Sequence, residues 1–172
     1  MNKKGFTLIE VVMVIVLLGI IMPGIMFYFI QGVKDSAIPQ RRTTAIFLAE
    51  ALMEEIKSKR WDEVIAINST CSNATAIGFD GVETSATRAT WNDIDDFNNL
   101  DNTPPKDSQN NPMTNYPGYR QQVKVEYVTA ADLNPAVPLV VPPYTCYKRI
   151  KVDITDTTSN ETISLVSLMT SY

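Results

Sequence analysis

Met1-Asn2-Lys3-Lys4-Gly5-Phe6-Thr7-Leu8-Ile9-Glu10 stands at the head of the sequence, and residues 11–30, VVMVIVLLGIIMPGIMFYFI, follow without one charged side chain. Twenty residues at about 1.5 Å rise each give about 30 Å of helix, the thickness of a bilayer's hydrocarbon core. Lys3 and Lys4 precede this run, so the positive-inside rule keeps the start in the cytoplasm and sends the rest across. A secretory signal peptide fits poorly: the run is too long, and no clear A-x-A-like site comes directly after it. A generic anchor leaves Glu10 unexplained, because a carboxylate in an apolar segment costs a few kcal/mol and usually has a functional partner.

Gly5-Phe6-Thr7-Leu8-Ile9-Glu10 resembles the processing motif of type IV prepilins and pseudopilins. The resemblance implies that a membrane-embedded aspartyl peptidase, the prepilin peptidase, cuts between Gly5 and Phe6. It implies N-methylation of Phe6, and pairing of Glu10 with the N-terminal amine of a neighbouring subunit during assembly. The chemistry is coherent. Glycine before the cut lets an extended backbone enter a peptidase site without a Cβ clash. A buried carboxylate that finds a cation in the next chain offsets its own desolvation. The implied partners are the peptidase, the lipid bilayer before assembly, other pilin subunits through the N-terminal helix, and an inner-membrane assembly platform. The implied location is the bacterial inner membrane, crossed once with the head outside the cytoplasm, and then an extracellular or periplasmic filament.

Gly19, Pro23 and Gly24 interrupt the apolar helix. Proline has no amide hydrogen and clashes with the carbonyl four residues back, so residues 19–24 are expected to be a weak point. Filament families that the chain resembles loosen such a stretch after extraction from the membrane.

Residues 31–36 are mostly polar, and 37–67 read as helix again. Leu48, Leu52 and Ile56 form a stripe at helical spacing, with Ala45, Ala49 and Met53 beside it. Glu50, Glu54, Glu55, Lys57 and Lys59 fill the other face, with Glu55 and Lys59 at i, i+4. Pro39 can sit in an early turn or mark a bend. The stripe predicts a spine on which a sheet packs. Residues 48–63 resemble the post-anchor helix of MSHA-type and related minor pilins, a resemblance in which Trp61 ends the helix against the head.

Residues 68–118 change character to Asn, Asp, Thr, Ser and Pro, with turn signals at Thr103-Pro104-Pro105 and Asn115-Tyr116-Pro117-Gly118. A long insertion of this kind is usually functional or poorly ordered. Its acidic stretch, residues 92–102, reads as a solvated loop with Asx-turns and caps. A calcium site on Asp93, Asp95 and Asp96 is the alternative, although the spacing is not that of an EF-hand. Cys71 and Cys146 are the two cysteines, and outside the cytoplasm a disulfide between them is the default reading. A pair of buried thiols is the other.

The last third reads as strands. Residues 121–128, 147–154 and 161–169 alternate polar and apolar, the last two joined like a hairpin. Val123, Val125, Tyr127, Ile150, Val152, Ile154, Ile163 and Leu165 are expected to face the helix. Pro135, Pro138, Pro142 and Pro143 break up the connection between the first two strands. The fold class is therefore α+β and pilin-like: a long N-terminal helix, half of it transmembrane, packed against a C-terminal antiparallel sheet. The expected divisions are 1–5, a leader removed on maturation; 6–67, the long helix, with 6–30 in the membrane; 68–118, the insertion; and 119–172, the sheet.

Composition narrows the function. The chain has 172 residues, no histidine and a net charge of −4. The small acidic excess argues against a nucleic-acid partner. Without histidine there is no Ser-His-Asp or Cys-His catalysis, and the commonest metal-binding side chain is missing. No cofactor is expected. Adjacent carboxylates such as Asp95 and Asp96 are weak evidence for catalysis. The expected role is structural: a minor pilin of a type IV pilus-like filament, acting in filament assembly and surface adhesion. The alternatives are a pseudopilin of a type II secretion or DNA-uptake machine, and a tip-located binding subunit.

Overall fold

The computed structural model describes residues 5, 7–63, 71, 74–81, 83–137 and 145–171, with the backbone alone for 34–37. One helix, α1, runs Leu8–Lys57 with Pro23 and Pro39 inside it. The chain divides into two compact units, Met1–Arg41 and Arg42–Tyr172. In the first unit the helix is unbroken through residues 19–24, and all its described side chains are exposed.

The second unit holds the core. The expected stripe of α1 is the buried one: Ala45, Leu48, Ala49, Leu52, Met53 and Ile56 are all 9% exposed or less. The other face is more exposed, but its expected Glu55–Lys59 pairing is replaced. Glu55 accepts from Arg88 at 2.8 Å, and Lys59 Nζ donates to the Trp91 carbonyl at 2.7 Å.

The helix reading to residue 67 is corrected. α1 ends at Lys57 although no glycine or proline follows it. Ser58 folds its hydroxyl back onto the Glu55 carbonyl at 2.6 Å. Arg60 then leaves the helical ladder, donating to the Asn92 carbonyl at 3.2 Å and accepting from the Ile94 amide at 3.0 Å. A tertiary bridge between Arg60 and Asp93 thus outcompetes another helical turn. Residues 64–67 of the expected helix lie outside the described residues, as do Pro138, Pro142 and Pro143.

Four antiparallel strands form one sheet in the order β1 (Asp101–Asn102), β2 (Tyr119–Val128), β3 (Tyr147–Asp156) and β4 (Glu161–Thr170). Period-two alternation turns Val123, Val125, Ile150, Val152 and Ile154 to the helix, all buried, with Ile163 and Leu165 half-buried at the margin; Tyr127, on the same face, is buried against Trp61 instead, beyond the helix end. The β3–β4 turn places Asn160 at φ 55°, a left-handed position that Asn tolerates. β1 comes from the insertion and has no counterpart in the alternation pattern.

The insertion is part of the core. Trp91, Ile94, Phe97 and Leu100 recur every third residue and are buried with the α1 stripe and the sheet. Two 3-10 turns, Arg88–Thr90 and Asp95–Phe97, punctuate the segment. A three-residue period stacks side chains along one face of such a turn. Arg88 is 2% exposed and pairs with Glu55, its guanidinium 5.6 Å and 5.4 Å from the Trp91 and Phe97 ring centroids. On β3, Lys148 is fully buried, with its ammonium 2.7 Å from Asp95, 3.6 Å from Asp62 and 4.1 Å from the Trp61 ring centroid. Trp61 therefore packs against the head four residues beyond the helix end at Lys57. A Cys71–Cys146 disulfide, Cα atoms 5.3 Å apart, ties the insertion to the start of β3.

A residue of a solvated loop can be truncated at almost no cost, whereas a core phenylalanine cannot. Phe97→Ala is expected to destabilise the protein by about 3–5 kcal/mol in chemical denaturation. A loss under about 0.5 kcal/mol would mean that the insertion does not belong to the core.

Candidate functional site

Two places carry the chemistry that the sequence singles out: the start of α1 and the acidic turn of the insertion. At the first, Gly5 is exposed, and a Cβ built on it would meet nothing within 4 Å. Nothing inside the chain requires glycine there, so the requirement points to an outside agent that handles this backbone. Phe6 lies outside the described residues. Thr7 stands just before the helix, its carbonyl accepting from the Glu10 amide at 3.1 Å and the Val11 amide at 3.3 Å.

Glu10 lies in the first turn of α1, where free backbone N–H groups and the helix dipole favour a negative charge. Among the described residues no ion pair reaches its carboxylate. The large apolar side chains from Val11 to Ile30 are each 48% exposed or more, and the most apolar window has a mean hydropathy of 2.7. Such a surface requires lipid or other helices around it. The helix is long and apolar enough to cross a membrane.

The acidic turn corrects the expectation of a solvated loop. Asp93, Asp95 and Asp96 are 2% exposed or less. The Asx-turn geometry is present, with Asp93 Oδ1 accepting from the amides of Asp95 at 2.8 Å and Asp96 at 3.3 Å. Asp93 Oδ2 takes the Glu63 amide, and Asp96 Oδ2 takes those of Asn92 and Asp93. Asp95 faces Lys148. The three carboxylates thus serve separate donors. Among the described residues no group of three or more acidic, His or Cys side chains is placed to hold a metal ion.

Sequence reasoning missed the second acidic ring around this turn. Asn92 Nδ2 bridges Glu83 Oε1 at 2.8 Å and Glu63 Oε2 at 3.1 Å. Burial, and then the Asp96 carboxylate beside it, push Glu83 up to about 8. Burial and the Asp96 charge raise Asp93 to about 6. Burial raises Asp95 to about 7 against the pull of Lys148. Asp80 is raised by burial and by Glu63. The missed signal was the density of carboxylates, at positions 62, 63, 80, 83, 93, 95 and 96, set against so few cations.

An acid whose pKa is raised by folding holds its proton more tightly in the folded state. Its stabilisation is complete below the unfolded value near 4 and is lost as pH climbs through the folded value. For Asp93, Asp95 and Glu83 that window runs from about pH 4 to about pH 8. Asp101 and Asp107 are held below their ordinary values by hydrogen bonds and titrate outside it. The melting temperature is therefore expected to fall between pH 5 and pH 8.5, and Glu83→Gln to flatten the upper part of that fall. A melting temperature that rises over this range would contradict the assignment.

Against known proteins, residues 1–22 match the family model of the prokaryotic N-terminal methylation motif. No curated protein and no solved structure matches the chain. The matched motif is the type IV prepilin signature, and with a glycine that packing does not require, a carboxylate at the first helical turn and an exposed apolar helix it supports a pilin-like or pseudopilin substrate of the prepilin peptidase.

Proposed function

We propose that the chain is a structural subunit, a minor pilin, of a type IV pilus-like filament. In this reading the peptidase cuts between Gly5 and Phe6, Phe6 is N-methylated, and the mature chain leaves the inner membrane for the filament with its head outside the cytoplasm. The methylation motif carries the reading, because it precedes an apolar helix whose large side chains lie largely uncovered within the chain itself. Glu10 is the assembly contact: its carboxylate lies beside the apolar run, and the new amine of Phe6 in a neighbouring chain is the cation it would take.

Gly19, Pro23 and Gly24 are the weak point of the membrane helix. A Cβ at either glycine meets nothing within 4 Å, so packing within the chain does not explain them. Each glycine weakens a helix by about 1 kcal/mol relative to alanine, and a proline by about 3. Lipid or neighbouring helices can sustain the freed backbone groups in the membrane. Removal from lipid favours their opening.

The mass of the mature N-terminal peptide tests the first step. The expected peptide begins at Phe6 and carries one added methyl group, and a chain beginning at unmodified Met1 overturns the proposal. For the assembly contact, Glu10→Ala is expected to leave cleavage intact and to lower incorporation into filaments by about a hundredfold. This corresponds to roughly 3 kcal/mol for an unpaired partner in a low-dielectric site. Incorporation equal to wild type would remove Glu10 from assembly.

A further inference from the structure

Among the described residues Lys148 is the one lysine that is fully buried. It stands on β3, and Asp95 and Asp62, 0% and 2% exposed, face it. Its Nζ donates to Asp95 Oδ2 at 2.7 Å and to the Trp61 carbonyl at 2.8 Å, and lies 3.6 Å from Asp62 Oδ2. The Trp61 and Tyr127 ring centroids are 4.1 Å and 5.1 Å from it. Asp95 Oδ1 is buried and has no hydrogen-bond partner. An ion pair held this way is desolvated on both sides, and its attraction offsets only part of that cost.

The other cation–carboxylate contacts differ. Lys151 meets Asp153 and Lys124 meets Glu126 with the lysine side chains 42% and 59% exposed, so water stays beside the nitrogen. Arg88 is almost as buried as Lys148, but a guanidinium keeps its proton and is no nucleophile. At Lys148 a primary amine touches a carboxyl group in a closed site, with a second carboxylate beside the nitrogen. Burial raises Asp95 to about 7, which brings its acid form within reach near neutral pH.

We propose that Lys148 and Asp95 join in an intramolecular isopeptide bond, formed by the folded chain itself. The ammonium passes one proton to Asp95 Oδ2 along their hydrogen bond. The freed Nζ lone pair attacks Asp95 Cγ, and the Nζ–Cγ bond forms. Asp62 takes the second proton from the nitrogen and hands it to the Oδ2 hydroxyl. The Cγ–Oδ2 bond breaks, one water leaves, and Asp62 returns to its starting state. Nothing is oxidised or reduced, so the step needs no co-reactant.

The product suits the site. Two buried charges disappear, and with them their desolvation cost. Oδ1 becomes an amide oxygen, which costs less to leave unpaired than the oxygen of a charged carboxylate. The one N–H left on the nitrogen keeps the Trp61 carbonyl as its acceptor. The bond ties β3 to the insertion across 53 positions and lies two residues from Cys146, whose disulfide makes the same connection. A reductant opens the disulfide and leaves an amide intact, so the insertion stays fastened to the sheet in both redox states. Where the bond has formed Asp95 no longer titrates, and Asp93 and Glu83 carry the pH window.

The test takes the mature full chain from cells, opens its disulfide with a reductant and measures the intact mass. The expected mass is one water below that of the reduced, processed sequence. Trypsin is expected to release residues 89–106 joined to 125–149, because it does not cut at a modified lysine, and fragmentation to place the link on Asp95. A full mass with Lys148 and Asp95 in separate peptides would overturn the proposal, and so would a link on Asp93 or Asp96. Lys148→Arg keeps the cation without the nucleophile and is expected to restore the full mass. Asp62→Asn is expected to slow appearance of the linked chain in pulse-labelled cells by about a hundredfold, the size of a lost proton carrier. Linkage at the wild-type rate would overturn the role of Asp62. Formation of the Cys71–Cys146 disulfide reports that each variant is folded, and the wild-type mass is decisive even where a variant is not. The bond lies within one head, so the result is independent of the filament reading.

Discussion

Everything in the second unit depends on one apolar seam, the face of α1 that carries Ala45, Ala49, Leu52, Met53 and Ile56. A single helix cannot bury such a face alone, and a four-stranded sheet covers one side of it. The insertion supplies the remaining wall with Trp91, Ile94, Phe97 and Leu100. Three stretches far apart in sequence must therefore close together, and the unit has little to gain from partial closure. The early end of α1 follows from the same demand. A further helical turn would carry Trp61 and Asp62 away from Lys148, whereas the turn at Ser58 lets Arg60 bridge to Asp93.

Buried charge is the fastener between these stretches. Arg88 joins the insertion to α1 through Glu55, and Lys148 joins β3 to Asp95 and Asp62. Each cation also lies near aromatic rings, which return part of its lost hydration. Pairs of this kind add less to net stability than their Coulomb attraction suggests, because both partners are desolvated. They do penalise every arrangement in which one partner is left alone. Some buried polar atoms lack hydrogen-bond partners, Asp95 Oδ1 and Asp96 Oδ1 among them. These two lie where carboxylates crowd, which is also where folding raises carboxylate pKa values.

The helix stripe and the strands were legible because their signals are local. Period 3.6 picked out Leu48, Leu52 and Ile56, and period two picked out Val123 through Ile154, with no reference to the rest of the chain. The end of α1 was not legible, since nothing in Ser58-Lys59-Arg60 breaks a helix and the competing bond comes from residues 92 and 94. The Glu55–Lys59 spacing was real, but Arg88 arrives from 33 positions away and takes the carboxylate. The insertion misled for a different reason. Its polar composition suggests solvation, while the apolar residues at 91, 94, 97 and 100 follow a period of three, which is that of 3-10 turns and of neither α-helix nor strand. At the N-terminus the methylation motif could be read because it is local, ten residues and an apolar run, and packing within the chain places no demand on Gly5.

The two units are unfinished in opposite ways. The first exposes apolar side chains on every side, so an apolar environment of lipid or other helices satisfies it. Its run from Val11 to Ile30 carries no charge, so that stretch sets no particular partner apart. The second unit has a closed core, and among the described residues its insertion covers the β2 edge while the outward backbone groups of β4 take no backbone partner.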